Sequence, residues 1–328
     1  VSERLRDNSD DLDALVGLTA EALGMPAVYV EKDFWVTEVL RAASAEQAIA
    51  LPDGSVAPVT FTFKGGTSLS RVFGIVERFS EDVDLLAEFP VEASLSARHK
   101  ILKAVDSAVR SHLSFEDDRV AVGSSTKGVK RYATYAYPTA AQDPFSKEGV
   151  LLELGSRGGT HPSAPHRYRS LIADYAITEL GEDESAWEEF AVFEVNVLAP
   201  ERTLFEKLAA VHDAASRDDT AALLKHGRHF YDIYRLVRNP QVAGVLEAMG
   251  ADYKQSLVDD IDQQSRAADF SSTPRPAKGY ASSPAFDSDH PSQEAIEVGF
   301  NAAQQLIYGD LVSLDEAVAS VHAAHELL

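Results

Sequence analysis

The chain has 328 residues, enough for one large domain or two modest ones, and 45% of them are apolar, which places it among globular rather than disordered proteins. Its 52 acidic and 30 basic side chains leave a net charge of −22, which argues against general affinity for nucleic acid or anionic membranes. Cysteine is absent, which excludes disulfides and thiolate zinc sites, and with no signal-peptide pattern and no apolar run long enough to span a bilayer, a cytoplasmic location is expected.

Residues 1–24 read as one helix with Leu12, Leu15, Val16, Leu18 and Leu23 inside, ended by Gly24 and Pro26. Val30 to Leu40 reads as an amphipathic helix, with Phe34, Val36, Val39 and Leu40 inside and Glu31, Lys32 and Asp33 at its first turn. Pro52-Asp53-Gly54 turns the chain into Val59-Thr60-Phe61-Thr62-Phe63, whose alternation predicts a strand. Lys64 closes that strand, and Gly65 and Gly66 break it. Thr67 can cap a short helix carrying Leu69, Val72 and Phe73, which ends near Gly74. A second strand then carries Asp82 and Asp84 on one face and Val83 on the other, because side chains alternate along a strand. Paired carboxylates beside a glycine turn suit Mg²⁺ and phosphate oxygens, which they and the turn's N–H groups would hold. Alone, Asp-x-Asp fits a solvated strand edge and Gly-Gly-Thr fits an ordinary turn. The order strand, Gly-Gly-Thr, helix, strand with Asp-x-Asp resembles the signature of polymerase-β-type nucleotidyltransferases.

Ser80 is expected on the same strand face as Asp82 and Asp84. Phosphate there would add nearly two negative charges beside the metal site and compete for its ion; the plain alternative is a small strand residue. Farther on, Ala93 to Leu113 predicts a helix with Leu95, Ile101, Leu102, Val105 and Val109 inside. Arg119 to Val122, Arg131 to Tyr137 and Gly149 to Gly155 predict three strands, the second with one covered face. The third carries a single acid, Glu153, between Leu152 and Leu154. It fits either a surface position on an edge strand or a third carboxylate beside Asp82 and Asp84, as two-metal chemistry requires.

Positive charge concentrates at Lys127, Lys130, Arg131, Arg157, His161, His166, Arg167 and Arg169, with Tyr168 among them. This is either scattered loop charge or a contact for RNA backbone or triphosphate. The acidic runs around Asp7 to Asp13, Glu179 to Glu189, Asp259 to Asp262 and Asp287 to Glu297 read as solvated faces. Pro200 opens a helix with Leu204, Phe205, Leu208 and Val211 inside. Lys207, beside that stripe, fits either a snorkelling side chain or a phosphate contact. Arg228 and Asp232 stand four apart on the next helix, as a surface ion pair or as a charged face lining a nucleotide cleft. Helices over 242–268 and 292–328 complete the chain, separated by a loop that Phe270, Tyr280 and Phe286 would pin.

Together these motifs resemble the AbiEii/MenT nucleotidyltransferase toxins of bacterial toxin–antitoxin systems. The likeness rests on Lys64 to Leu69 with Arg78 to Leu85, on Leu151-Leu152-Glu153, on Glu201 to Ala210, and on Arg228 to Ile233, with Glu31 to Val36 also typical. The resemblance implies an α+β fold: a polymerase-β-like core, with a mixed sheet flanked by helices, followed by a helical C-terminal half. Residues 1–199 would form the nucleotidyltransferase domain with its N-terminal helices, and 200–328 a helical domain completing the active-site cleft. Asp82 and Asp84, with Glu153, would bind Mg²⁺. Lys64, Gly65, Gly66, Thr67, Ser80, Lys207 and Arg228 would bind the NTP, and Lys207 and Asp232 would complete the catalytic set. The implied activity is transfer of NMP from an NTP to RNA, at the 3′ end of tRNA in several members, blocking translation. An antitoxin protein is the implied partner, and neither DNA nor a membrane is expected. Two alternatives stay open: a protein-nucleotidylating enzyme, and a catalytically silent protein that binds nucleotide or antitoxin.

Overall fold

Alternation of apolar and polar residues along its strands gives the sheet a buried side, against which helices pack. The computed structural model describes residues 3–80, 82–139, 149–267 and 271–328, so Glu81 and Phe270 lie outside the described residues. In chain order the elements are α1 (Ser9–Leu23), α2 (Ala27–Ala43), β1 (Gln47–Ala50), β2 (Val56–Lys64), α3 (Gly65–Arg71), β3 (Asp82–Glu88), α4 (Leu95–Leu113), β4 (Val120–Val122), β5 (Lys130–Tyr135), β6 (Val150–Gly155), β7 (Ser163–Tyr168), α5 (Leu171–Thr178) and β8 (Phe193–Leu198). Helices α6 (Pro200–Ser216), α7 (Thr220–Lys225), α8 (Gly227–Arg238), α9 (Pro240–Ala248), α10 (Ala251–Ala267), α11 (Gln293–Ala303) and α12 (Leu314–Ala323) follow. This is the expected α+β fold, with a mixed sheet and flanking helices. Two compact units divide it: one holds Val1–Thr67, Glu81–Ser156 and Ser163–Val197, the other Ser68–Ser80, Arg157–Pro162 and Leu198–Leu328.

In the first unit the strands run in the order β4-β5-β6-β3-β2-β8-β7, with β1 paired on β2. β3 is antiparallel to β2 and parallel to β6, and β5 is antiparallel to β6. Phe63, Val83, Leu85, Leu152, Leu154 and Tyr135 are buried, as are Leu102, Val105 and Val109 of α4. The expectation of one covered face on β5 holds: Arg131, Ala133 and Tyr135 are buried, whereas Tyr132 and Thr134 are half-buried. Ser94 caps α4 through the Ala97 amide, so Leu95 sits on the first turn and is 54% exposed rather than inside.

The first helix is shorter than expected. Asn8 accepts from the Asp11 amide and starts α1 after a separate turn at Leu5–Asp7. Gly24, in the left-handed region, ends it as anticipated, but Leu18 and Leu23 are each 45% exposed and Thr19 and Ala20 take the inner face. The larger correction is α2, which begins at Ala27 and whose stretch from Val30 to Leu40 is buried on every side instead of being amphipathic. Its charges are matched within the fold. Glu31 accepts from the Thr139 hydroxyl (2.8 Å), Lys32 donates to the Gly149 carbonyl (2.5 Å), and Asp33 accepts from the Leu171 amide (2.7 Å). Glu38 accepts from Arg41 (3.0 Å) and bonds His112 (2.7 Å). A buried charge is tolerated only when it is partnered in this way.

In the second unit α6 opens on Pro200 and buries Leu204, Phe205, Leu208 and Val211 as expected. These join Phe230, Ile233 and Leu236 of α8, Ile296 and Phe300 of α11 and Val321 of α12 in one core. Gly227 and Gly299 let α8 and α11 touch: a Cβ on Gly227 would lie within 2.1 Å of the Gly299 backbone. The two long helices expected here are broken. α9 and α10 part at Met249-Gly250, and the last stretch splits into α11 and α12 around Ile307 to Ser313. Tyr280 and Phe286 are buried and pin the loop between α10 and α11. Among the described residues no single helix is long and apolar enough to cross a membrane.

Candidate active site

The sheet places one polar row across four strands of the first unit. Register pairs Lys64 of β2 with Asp84 of β3, Asp84 with Glu153 of β6, and Glu153 with Tyr132 of β5. Paired residues share a face, so the four side chains project from the same side. All four are half-buried, whereas the neighbours Phe63, Leu85, Leu154 and Arg131 are buried. Asp82 is two residues before Asp84 on the same side, and Val83 is on the other and fully buried. Glu153 is therefore not at a sheet edge, because β6 lies between β5 and β3. Burial, then the carboxylates of Glu153 and Asp84, push the Tyr132 phenol up from its ordinary range.

The turn at the end of β2 is tied to the start of β3. Gly65 has φ +86° and begins α3, which puts Thr67 inside the first turn rather than ahead of the helix. The Thr67 hydroxyl donates to the Asp82 carbonyl over 2.7 Å. Leu69 is buried as expected, but α3 stops at Arg71, before Val72 and Phe73. Only glycine fits at position 65, since an added Cβ would fall 2.4 Å from Asp84 Oδ2 and would meet a left-handed backbone. Gly65→Ala is expected to lower the denaturation midpoint and to displace the Asp84 carboxylate, which a chemical-denaturation curve and a transfer assay would read together. The backbone conformation alone costs about 1 kcal/mol or more.

Ser80 does not share that strand. β3 starts at Asp82, and Ser80 belongs to the second compact unit. Its expected place on one face with the two aspartates is therefore not supported.

The second unit contains a buried ionic triad. Asp232 on α8 is fully buried and accepts from Arg78 Nε (2.6 Å) and Nη2 (2.7 Å), while Lys207 Nζ on α6 lies 2.8 Å away. The surface pairing of Asp232 with Arg228 is thus overturned, and so is the snorkelling of Lys207, which is 8% exposed. Burial would raise the Asp232 carboxyl, but Arg78 and Lys207 outweigh it and hold the group at about 2. Arg78 takes the carboxylate in both prongs, so Lys207 is only partly compensated. Burial pulls its ammonium down, aided by Arg78 and Arg228 and opposed by Asp232. Arg78 was the missed member. It sits inside the motif before Asp82, but its partner is 154 residues away and leaves no local trace.

The basic cluster expected from the sequence is dispersed. Arg131 is buried against Asp106 (2.5 Å), and Arg169 pairs with Asp174 (2.5 Å) and Glu184 (3.2 Å). Tyr168 is buried between Phe63 and Phe193. Arg157 and His161 belong to the second unit, whereas Lys127 is exposed and Lys130 half-buried in the first.

For a divalent metal, the donors on β3 and β6 are carboxylate oxygens, the chemistry that Mg²⁺ prefers, and Mg²⁺ needs only one or two of them alongside substrate phosphates. Among the described residues no three His, Cys, Asp or Glu side chains are arranged as a ready metal cluster. Asp82 and Asp84, on one side of β3, offer the oxygen donors that such an ion takes.

A strand, a glycine turn, a short helix and a returning strand with two same-side aspartates match the arrangement expected of a nucleotidyltransferase. The family model "Nucleotidyl transferase AbiEii toxin, Type IV TA system" matches residues 55–304, and the chain belongs to that family. It is therefore a nucleotidyltransferase toxin of a toxin–antitoxin system, which implies a nucleotide substrate and a cognate antitoxin. No curated protein matches the sequence.

Proposed function

We propose that the protein transfers NMP from an NTP to the 3′ end of an RNA, with tRNA as the acceptor, releases pyrophosphate, and so blocks translation in the cytoplasm. The observation that carries this reading is Asp82 and Asp84 side by side on β3, with the Thr67 hydroxyl fixing the glycine turn to the Asp82 carbonyl (2.7 Å). Asp82 and Asp84 hold Mg²⁺, with Glu153 next to Asp84 as a third carboxylate. The ion, when bound, supplies Lewis-acid stabilisation of charge on the phosphates. Lys64, Gly65, Gly66 and Thr67 orient the triphosphate. Lys207 and Arg228, on the second unit, are the cations that the family resemblance assigns to the phosphates. Asp232, held ionised by Arg78, keeps Lys207 in place. Glu153 accepts the proton of the attacking hydroxyl.

Labelled NTPs incubated with the protein, Mg²⁺ and either total RNA or lysate protein test the reading. Label on tRNA supports it. Label on protein instead would assign a protein-nucleotidylating activity, and label on neither would leave a binding protein.

A further inference from the structure

We propose that Tyr132, with Lys130 beside it, is the platform on which the unpaired terminal base of the acceptor RNA stacks; this rests on the RNA-directed transfer proposed above. The placement follows from the row across the sheet. Lys64 and the glycine turn stand at one end, Asp84 and Glu153 in the middle, and Tyr132 at the other end. Transfer at the α-phosphorus is an in-line displacement, so attacking hydroxyl and departing pyrophosphate occupy opposite sides of the phosphorus. With the triphosphate seated at the glycine turn, the pyrophosphate leaves toward Lys64. The hydroxyl then enters from the Glu153 and Tyr132 side. Neighbouring strands stand about 4.8 Å apart, so Tyr132 is about 10 Å from Asp84, within reach of the base of a nucleotide whose 3′ oxygen is at the carboxylates.

The side chains at that end suit such a base. Tyr132 is half-buried rather than packed in the core. Its strand is held in place on both sides, by pairing with β6 and by the Gly123 amide, which donates to the Tyr132 carbonyl over 3.0 Å. The Lys130 ammonium rests 5.0 Å from the ring centroid, which shows that a ring face can receive a partner. A stacked base takes that face, and the ammonium turns to the adjoining phosphate. Lys127, exposed in the turn before β5, adds a second cation on the same approach. On a chain of net charge −22, these cations at the acceptor end offset the repulsion that an RNA strand meets near three carboxylates. Aromatic stacking with a neighbouring lysine is how proteins hold single-stranded ends without reading their sequence.

The test measures transfer to an RNA ending in an ordinary nucleotide and to the same RNA with an abasic terminal nucleotide that keeps its 3′ hydroxyl. Tyr132→Ala is expected to raise the KM for the ordinary RNA by about five- to a hundredfold, the range found when a stacking aromatic is removed. The KM for the NTP should stay within about twofold, and Tyr132→Phe should restore the RNA KM. The abasic RNA should be poor for the unmodified protein and suffer no further loss with Tyr132→Ala, since the contact it lacks is the same one. Should Tyr132→Ala fail to fold, the unmodified protein's preference for the ordinary over the abasic end decides the matter. Equal use of both ends, an unchanged RNA KM, or a rise in the NTP KM alone would overturn the proposal while leaving RNA transfer standing. If the unmodified protein labels no RNA, both readings fall.

Discussion

Asp82→Ala is expected to reduce nucleotide transfer by about a thousandfold or more while leaving the fold intact. The rate argument is electrostatic. Loss of one preorganised charge partner at a phosphoryl-transfer centre costs on the order of a hundred- to a thousandfold, and a metal-bearing carboxylate stands at the upper end. The stability argument comes from the way β3 is held. Asp82 contributes its carbonyl to the Thr67 hydroxyl and its backbone to the pairing with β6, and alanine keeps both. Val83 and Leu85, which fill the core from the opposite side, are unaffected. Thr67→Val should behave differently, weakening the tie between turn and strand and so lowering both stability and transfer. A Mg²⁺ titration of the transfer assay beside a thermal melt measures the two effects separately. An Asp82→Ala protein that transfers at the unmodified rate would end the reading of these aspartates as the reactive centre.

What the sequence made legible was local. The end of α1 at Gly24, the Pro200 start of α6, the alternation in β6 and the stripe of Leu204, Phe205, Leu208 and Val211 each arise from a few neighbouring residues, and each stands as read. The strand–glycine–helix–strand order was legible because a turn, a left-handed glycine and an alternating pair of acids are also local. What escaped was non-local. β7 and β8 were not anticipated: Ser163 to Tyr168 is mostly polar and reads as a basic loop. Glu194 and Asn196 interrupt the other strand. Both gain their strand character from pairing within the sheet. The full burial of Val30 to Leu40 in α2 escaped for the same reason. Its Glu31, Lys32, Asp33 and Glu38 look like a solvated face, yet partners more than 70 residues away, or the Gly149 carbonyl, take them inside. In the site, same-side placement of Asp82 and Asp84 followed from strand periodicity, but the bond between Arg78 and Asp232 did not. A pair 154 residues apart has no periodicity to reveal it.

Asp232→Ala is expected to be the most destabilising single change in the second unit, by about 3–5 kcal/mol, because it leaves Arg78 and Lys207 as buried cations with no shared carboxylate. The partners should not be equivalent. Arg78→Met leaves one carboxylate facing one ammonium, a balanced though weakened pair, and should cost less. Lys207→Met leaves Asp232 gripped in both prongs by Arg78 and should cost least in stability, yet it removes the ammonium assigned to the phosphates and should cost most in transfer. This reversal of order between stability and activity separates the structural from the chemical share of the triad. Acid adds an independent readout. The Asp232 carboxyl sits at about 2, against an ordinary value of 3.8, so its stabilisation is fully present above the ordinary value and is lost as pH falls from about 4 toward 2. A depression of that size corresponds to about 2 kcal/mol. Asp232→Asn should therefore be less stable than the unmodified protein at pH 7 and lose less on acidification. Chemical denaturation at pH 7 and pH 3, run for all four variants beside the transfer assay, checks the order. Equal midpoints for Asp232→Ala and Lys207→Met at pH 7 would show that the two cations do not depend on that one carboxylate.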